Sequence, residues 1–242
     1  MRSRLSDTAT KKVVRTVVSD FEKNLKEFDQ RKPFADFQID LHVETLRLRK
    51  AHRGSLSELM LRRDFVVALY ATLVSWGMGR RSVQLVGLAE FAKGLRRIAK
   101  RAEFTELSHR TLARLGRDTE KVAGNIWTLV VTLDPTKGKS KLVAGTKALH
   151  HVFPKLVPPV DRKYTGGFFR MPFSNSKRHE ADFTRVFCLL ADAANRIDKS
   201  RRARRAVETH IHSGMHTSLP KMIDNALVGD FYRHQRGKTR SK

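Results

Sequence analysis

The amino-acid sequence predicts an all-α protein with a compact, multi-helix globular fold. Apolar residues recur at spacings of three and four over most of the chain, capping and stopping residues separate these segments, and no stretch shows the alternation of a half-buried strand. Hydrophobic residues make up 40% of the 242, enough for a sizeable core. We expect one helical domain over residues 1–232, with 1–133 and 134–232 as candidate lobes around a central cleft, and a basic flexible tail over 233–242.

In the first half of the chain the apolar stripes are long. Val14, Phe21 and Phe28 lie on one stripe, and Ser55 with Glu58 forms a capping-box pattern before a strongly apolar segment that Gly77 ends. The helices predicted here cover residues 11–30, 38–52, 59–76, 83–101, 106–115 and 118–133.

The second half is less regular. Residues 134–141 are polar and glycine-bearing, which is typical of a loop, and Pro158 with Pro159 predicts an extended segment leading to Asp161. Residues 164–177 contain three phenylalanines, so we expect a structured loop there. Helices are predicted over 141–152, 180–197 and 218–231, and the basic run 201–205 extends or follows the second of these.

The charge balance points to a polyanionic partner. The chain has 49 Lys and Arg against 24 Asp and Glu, a formal net charge of +25, and the excess is distributed along its whole length. A folded surface with so many cations repels itself unless an extended anion screens it, and nucleic acid is the commonest such anion. An acidic protein partner is the alternative.

Other features exclude several classes. The single Cys188 rules out an intramolecular disulfide framework and a multi-cysteine zinc site, and no Walker loop, dinucleotide-binding glycine pattern, zincin helix or nucleophile elbow is present. No cofactor is implied. Met1–Thr10 is not a signal peptide, and the longest apolar run, residues 65–78, is shorter than the roughly 20 residues that span a bilayer. We therefore expect a cytoplasmic protein without a membrane partner.

Several residues are candidates for nucleic-acid contact. Arg80 and Arg81 follow Trp76, whose ring could stack on a base, while Lys221 and Asn225 share a helical face from which an asparagine could read adenine. A buried tryptophan with solvated arginines, and an asparagine bonded to backbone, are the plainer alternatives. His210, His212 and His216 are spaced like metal ligands, but without a cysteine and with only one local carboxylate we expect no metal there.

The segment 145–165 carries the strongest suggestion of chemistry. A proline-stiffened chain presents Asp161 at low entropic cost, and a partly desolvated Lys147 could act as a Schiff-base nucleophile beside it. The alternative is a surface lysine and an aspartate that caps a helix or pairs with Arg162. We expect the flanking residues to contact nucleic acid; they are His150, His151, Arg162 and Tyr164.

Two resemblances bear on this segment. Gly145-Thr146-Lys147 followed by Val160-Asp161 resembles the lysine and aspartate of the helix-hairpin-helix DNA glycosylase superfamily, although Leu142-Val143-Ala144-Gly145 keeps only one glycine of the family hairpin and the spacing from Lys147 to Asp161 is shorter. The resemblance implies that Lys147 is the nucleophile, that Asp161 is the catalytic carboxylate and that the hairpin backbone holds a DNA phosphate.

The second resemblance covers more of the chain. The pattern Lys-x-Leu-His-His…Pro-Pro-x-Asp-Arg-x-Tyr-Thr, with Trp76-Gly77-Met78 and Thr217–Lys221…Asp224–Ala226, resembles a group of uncharacterised prokaryotic proteins without a known activity.

The sequence thus leaves three hypotheses for the function. The first is a nucleic-acid-binding protein, on DNA rather than RNA, that acts as a glycosylase or lyase through Lys147 and Asp161. The others are a non-enzymatic nucleic-acid-binding or accessory protein, and a basic scaffold for an acidic protein.

Overall fold

The prediction of an all-α fold is confirmed. The computed structural model describes residues 7–78, 84–171, 173, 176–211 and 213–239, with the side chains of 7–11 and 236–239 left out. Within these residues the regular structure is helical, apart from one isolated β-bridge between Leu85 and Thr136. The α-helices are α1 Asp7–Ser19, α2 Phe21–Arg31, α3 Asp36–Ala51, α4 Leu56–Leu59, α5 Arg63–Leu73, α6 Leu88–Ala99, α7 Ala102–Leu107, α8 Thr119–Leu133, α9 Leu142–Val152, α10 Thr165–Phe168, α11 His179–Lys199, α12 Arg201–His210 and α13 Leu219–Thr239.

Several boundaries in the first half differ from the prediction. The helix expected over 11–30 is divided at Asp20 into α1 and α2. The capping box is present, with Ser55 Oγ accepting from the Glu58 N–H at 3.2 Å, but it begins the short helix α4 instead of α5. Residues 84–86 are not helical, because Leu85 pairs with the segment that follows α8. Residues 106–115 form the end of α7 and a short 3₁₀ turn instead of one helix.

In the second half, the predicted helices agree with the structure to within a few residues, except at the chain's end. Residues 233–239, expected to lie beyond the last helix, continue α13. Asp230 supports this extension, because its carboxylate lies 3.3 Å from His234 Nδ1 one turn later. The basic run 201–205 forms its own helix, α12, whose first turn is capped by Ser200 Oγ accepting from the Ala203 N–H.

Helix α9 lies at the centre of the molecule. Every one of its eleven residues is buried, and it packs against α3, α5 and α8. A helix that is enclosed on all sides needs apolar or small residues on every face, and the sequence LVAGTKALHHV meets this at most positions. The exceptions, Thr146, Lys147, His150 and His151, must find polar partners inside the protein.

A continuous cluster of buried apolar side chains surrounds α9 and includes residues from both halves of the chain, from Val14 to Leu227. A smaller cluster of Phe28, Trp76, Met215 and Val228 lies beside it. Among the described residues, no helix combines the length and the apolar character that crossing a bilayer requires.

The contact between α8 and α9 depends on Gly145. A Cβ at this position would lie 2.6 Å from Val130 Cγ1, well inside van der Waals contact. The absence of a side chain therefore sets how closely the two helices approach, and this in turn places Lys147 two residues later.

We expect Gly145→Ala to lower the free energy of unfolding by about 1–3 kcal/mol, because the new methyl group overpacks the α8–α9 contact. Gly124→Ala on α8 is the control: its Cβ would meet no atom within 4 Å, so the better helix former should raise stability by about 0.5–1 kcal/mol. Urea denaturation of both variants checks this. A Gly145→Ala protein as stable as the wild type would show that the helices can separate without cost.

A buried charge and histidine cluster around helix α9

The structure brings Lys147 and Asp161 together. Lys147 Nζ lies 3.5 Å from Asp161 Oδ2, and the lysine is buried at the centre of α9 instead of lying on the surface. Thr146 helps to hold the approach, because its Oγ1 accepts from the Val160 N–H at 3.2 Å. The proline-stiffened segment therefore places one carboxylate oxygen of Asp161 beside the Lys147 amine.

The other oxygen of Asp161 has a structural role. Asp161 Oδ1 accepts from the backbone N–H groups of Lys163 at 2.7 Å and Tyr164 at 3.3 Å, which closes the turn before α10. The capping role that the sequence left open is thus present together with the lysine contact. Arg162 does not pair with Asp161; its guanidinium donates to Ser140 Oγ in the loop between α8 and α9.

A second lysine–aspartate pair lies in the same cluster. Lys221 Nζ, fully enclosed, donates to Asp224 Oδ2 at 2.7 Å and to Asn225 Oδ1 at 2.6 Å. Asn225 Nδ2 donates to Met215 O at 3.0 Å and bonds His216 Nδ1 at 3.1 Å. These bonds occupy the polar atoms of the Asn225 amide within the protein. Lys221 and Asn225, predicted from the sequence to contact nucleic acid, are both buried in this structure, and the Asn225 amide is bonded to backbone as in the plainer alternative.

Burial shifts both groups of this pair toward their neutral forms. Desolvation lowers the pKa of Lys221, against the opposing attraction of Asp224, and desolvation raises the pKa of Asp224. Lys147 and Asp161 also act on both groups electrostatically. The four side chains thus form one coupled cluster in which two positive and two negative groups balance.

Trp76 packs against both lysines. Its ring centre lies 5.7 Å from Lys147 Nζ and 5.3 Å from Lys221 Nζ, within the range of cation–π attraction. Trp76 is only 8% exposed, so little of its ring is open to a stacking base in this structure. Arg80 and Arg81, proposed to act with it, lie outside the described residues.

Two histidines that the sequence proposed for nucleic-acid contact are instead buried in a chain of hydrogen bonds. His151 Nδ1 donates to Lys147 O at 2.8 Å, so its Nε2 is free to accept from His42 Nδ1 at 2.9 Å. His42 Nε2 in turn accepts from the Thr217 hydroxyl at 3.0 Å. His150 Nδ1 donates to Val157 O at 2.8 Å. Both histidines predicted to contact nucleic acid, His150 and His151, are thus enclosed within the protein in this structure.

The direction of this chain requires neutral imidazoles. Burial lowers the pKa of His42 and of His150 well below the usual range, and it lowers the pKa of His151 to about 4. Each ring then has one N–H and one lone pair, which is the arrangement that the bonds from Thr217 to Lys147 O need.

Tyr164 is more accessible than Trp76. It is partly buried and lines a cavity of about 320 Å³ together with Phe168, Asp230 and Phe231. Its ring meets the Phe231 ring edge-on at 5.2 Å, and Lys163 Nζ lies 5.0 Å from its centre. Since its backbone N–H bonds Asp161, this aromatic wall adjoins the Lys147–Asp161 pair.

The rim beside Asp161 is basic. Arg162 and Lys163 are exposed, and the Arg162 bond to Ser140 joins them to the 134–141 loop, where Lys137 and Lys139 are also exposed. Gly145 lies within α9 and not in this loop. Phosphate contact in this region would therefore use side chains of the loop and of residues 162–163.

A histidine–aspartate group joins α2 to the connection before α13. Asp29 Oδ1 accepts from His216 Nε2 at 2.7 Å, and Asp29 Oδ2 lies 3.2 Å from His210 Nδ1. The three potential ligand atoms lie within 4.8 Å of one another. Sequence reasoning considered His210 and His216 with His212, which lies outside the described residues, and it missed Asp29.

Asn225 decides the protonation of this group. Because its oxygen accepts from Lys221 and its nitrogen donates to Met215 O, the nitrogen must also donate to His216 Nδ1. The proton of neutral His216 is then on Nε2, where it bonds Asp29. A metal ion at Nε2 would require the loss of this proton and a rotation of the Asn225 amide away from both of its partners.

We expect the free energy of unfolding to fall as the pH drops below about 6.5, because the unfolded chain then binds protons that the buried histidines do not. Each of His42, His150 and His151 contributes up to about 1.4 kcal/mol per pH unit to this loss of unfolding free energy. For His151 the contribution ends at pH about 4, where its imidazole becomes protonated in the folded protein. The free energy of unfolding is measured by urea denaturation at several pH values between 7 and 5. Its decrease per pH unit should be smaller in His151→Gln than in the wild type. The exposed His109→Gln is the control and should keep the wild-type slope. Equal slopes in all three proteins would contradict the assignment.

Comparison of the chain with protein-family models, with curated proteins and with solved structures gives no match.

Proposed function

We propose that this protein binds nucleic acid and acts on it through Lys147 and Asp161, as a glycosylase or lyase. The observation that carries the proposal is the pair itself: a buried amine 3.5 Å from a carboxylate, in a cluster where Trp76 and a second ion pair limit the access of water. The excess of cations over the whole chain supports a polyanionic partner.

The chemistry assigns separate tasks to the two groups. Asp161 stabilises the positive charge that develops on the sugar as the glycosidic bond breaks, through the oxygen that faces Lys147. The amine of Lys147 adds to the sugar C1′ as the bond from C1′ to the base breaks. The proton that the nitrogen loses on addition passes to Asp161 Oδ2, 3.5 Å away, and from there to the departing base, so that Asp161 ends the step as a carboxylate. The partly exposed Tyr164 is better placed than Trp76 to stack on an extruded base, because it lines a cavity and its backbone N–H bonds Asp161.

A non-enzymatic nucleic-acid-binding protein is the second candidate. It is favoured by the hydrogen bonds of Asp161 Oδ1 to the turn before α10, which would hold this aspartate in place without any catalytic role. Under that alternative, Lys147 compensates the buried end of the carboxylate, and the basic residues bind phosphate alone.

We expect the wild-type protein to form a covalent complex with an abasic-site DNA duplex in the presence of sodium borohydride, since reduction traps a lysine Schiff base. Lys147→Met should abolish the covalent complex. Its melting temperature should stay close to that of the wild type, which shows that the variant is folded. Asp161→Asn should slow its formation about 10²-fold or more. Lys155→Ala is the matched control, because this lysine is exposed and belongs neither to the buried pair nor to the basic rim.

The outcomes separate the candidates. Trapping that persists in Lys147→Met would show that another amine reacts. If the wild-type protein binds DNA but is never trapped, and cleaves no base-containing or abasic strand, the non-enzymatic function stands instead.

A further inference from the structure

The outer face of helix α12 is an unusually dense cationic surface. Arg201, Arg202, Arg204 and Arg205 are all exposed, whereas Ala203 and Ala206 face the protein and are buried. The alternation follows from helical geometry, since residues 203 and 206 are three apart and share a face. Five consecutive residues therefore present four guanidinium groups to solvent on one side of a helix.

Little within the protein balances this charge. Among the described residues, the only ion pair of these four arginines is between Arg202 and Glu22 of α2, at 3.7 Å. Glu22 is itself shared, because Lys26 Nζ lies 2.7 Å from its other oxygen. The positive surface thus extends from α12 onto α2 across a single carboxylate.

A second basic face, on α6 and the two residues that follow it, differs from the α12 face in having more ion pairs with its own acidic neighbours. Lys93 and Arg97 both pair with Glu90, at 3.4 and 3.1 Å, and Arg101 pairs with Glu103 at 2.8 Å. More of its charge is compensated by its own neighbours. The two faces therefore allow a comparison in which similar charge is removed from different places.

The arrangement on α12 disfavours the helix that carries it. The start of a helix bears partial positive charge, so cations in the first turn are unfavourable, and like charges three or four residues apart repel each other. Each of α2, α3, α5, α6, α7, α8 and α11 has an acidic residue in its first turn, while α12 has none and begins with two arginines. An anionic partner would remove this penalty.

We propose that the face of α12 formed by Arg201, Arg202, Arg204 and Arg205 binds the sugar–phosphate backbone of nucleic acid. Guanidinium groups match phosphate oxygens in bidentate geometry, and duplex DNA carries about one negative charge per 1.7 Å of its axis, which suits four closely spaced arginines. The inference rests on the proposed function only for the class of partner, and it uses none of the side chains of the buried cluster.

The test compares two triple variants with equal charge loss. Arg201→Gln/Arg204→Gln/Arg205→Gln removes three cations from α12, and Lys93→Gln/Arg97→Gln/Arg101→Gln removes the three paired cations of the α6 face. Affinity for a 20-base-pair duplex is measured by fluorescence anisotropy over a range of salt concentrations. We expect the α12 variant to bind about tenfold more weakly or worse, with a salt dependence reduced by about 2–3 in log–log slope, and the α6 variant to change by less than about threefold.

Stability gives a second readout. Removing repelling charges from the first turn of α12 should leave the melting temperature unchanged or higher, so a loss of affinity cannot be attributed to unfolding. Equal weakening in both triple variants, or an unchanged α12 variant, would overturn the proposal. A parallel loss of binding to poly-L-glutamate and to DNA would also overturn it, because the surface would then take any polyanion, acidic protein included.

The outcome is separable from that of the proposed function. At saturating DNA the α12 variant should still be trapped by borohydride through Lys147. If the wild type is never trapped but its DNA affinity depends on α12, the chemistry is wrong and the backbone surface stands. If the wild type is trapped but its DNA affinity does not depend on α12, the chemistry stands and the backbone surface is wrong.

Discussion

The enclosure of α9 is the constraint on which the rest of the structure depends. A helix buried on every face has no water for its polar side chains, so Thr146, Lys147, His150 and His151 depend on partners within the protein. Each of the four has at least one, although His150 Nε2 is buried without a partner among the described residues. Their partners come from α3 and from the proline-stiffened segment 153–161, while Thr217, in the connection before α13, bonds the α3 histidine His42. The polar interior is therefore assembled only when all of these elements are in place. Uncompensated burial of any one group would destabilise the fold.

The same enclosure connects stability with the proposed chemistry. Lys147 is held between the Asp161 carboxylate and the face of Trp76, and Lys221 approaches the same ring. A site that excludes water strengthens each electrostatic contact within it, which suits both a fixed structural ion pair and a reactive one. Asp161 combines the two possibilities in one side chain, since one oxygen closes a turn and the other faces the amine.

Local signals in the sequence predicted the helices well and the partners poorly. The Ser55 capping box, the α9 segment and the approach to Asp161 were recognisable, because each depends on residues close together in the chain. His42 and Thr217 were missed, since they lie 109 residues from His151 and 175 residues from His42 respectively, and only the fold brings them together. Asp29 and His216, 187 residues apart, were missed as a pair for the same reason. The burial of the α9 histidines was not foreseen, because composition alone does not show which polar residues are enclosed.

The short connection between α12 and α13 serves both halves of the buried cluster. Met215 and His216 fix the amide of Asn225, which holds Lys221, while Thr217 begins the hydrogen bonds that end at Lys147 O. Loops are usually where a protein family gains or loses residues at little cost. Here a change in length would shift three anchors at once, and with them the amide that holds Lys221 and the hydrogen bonds that fix His42 and His151. Related proteins that keep this interior should therefore vary in length elsewhere and conserve the length of this turn.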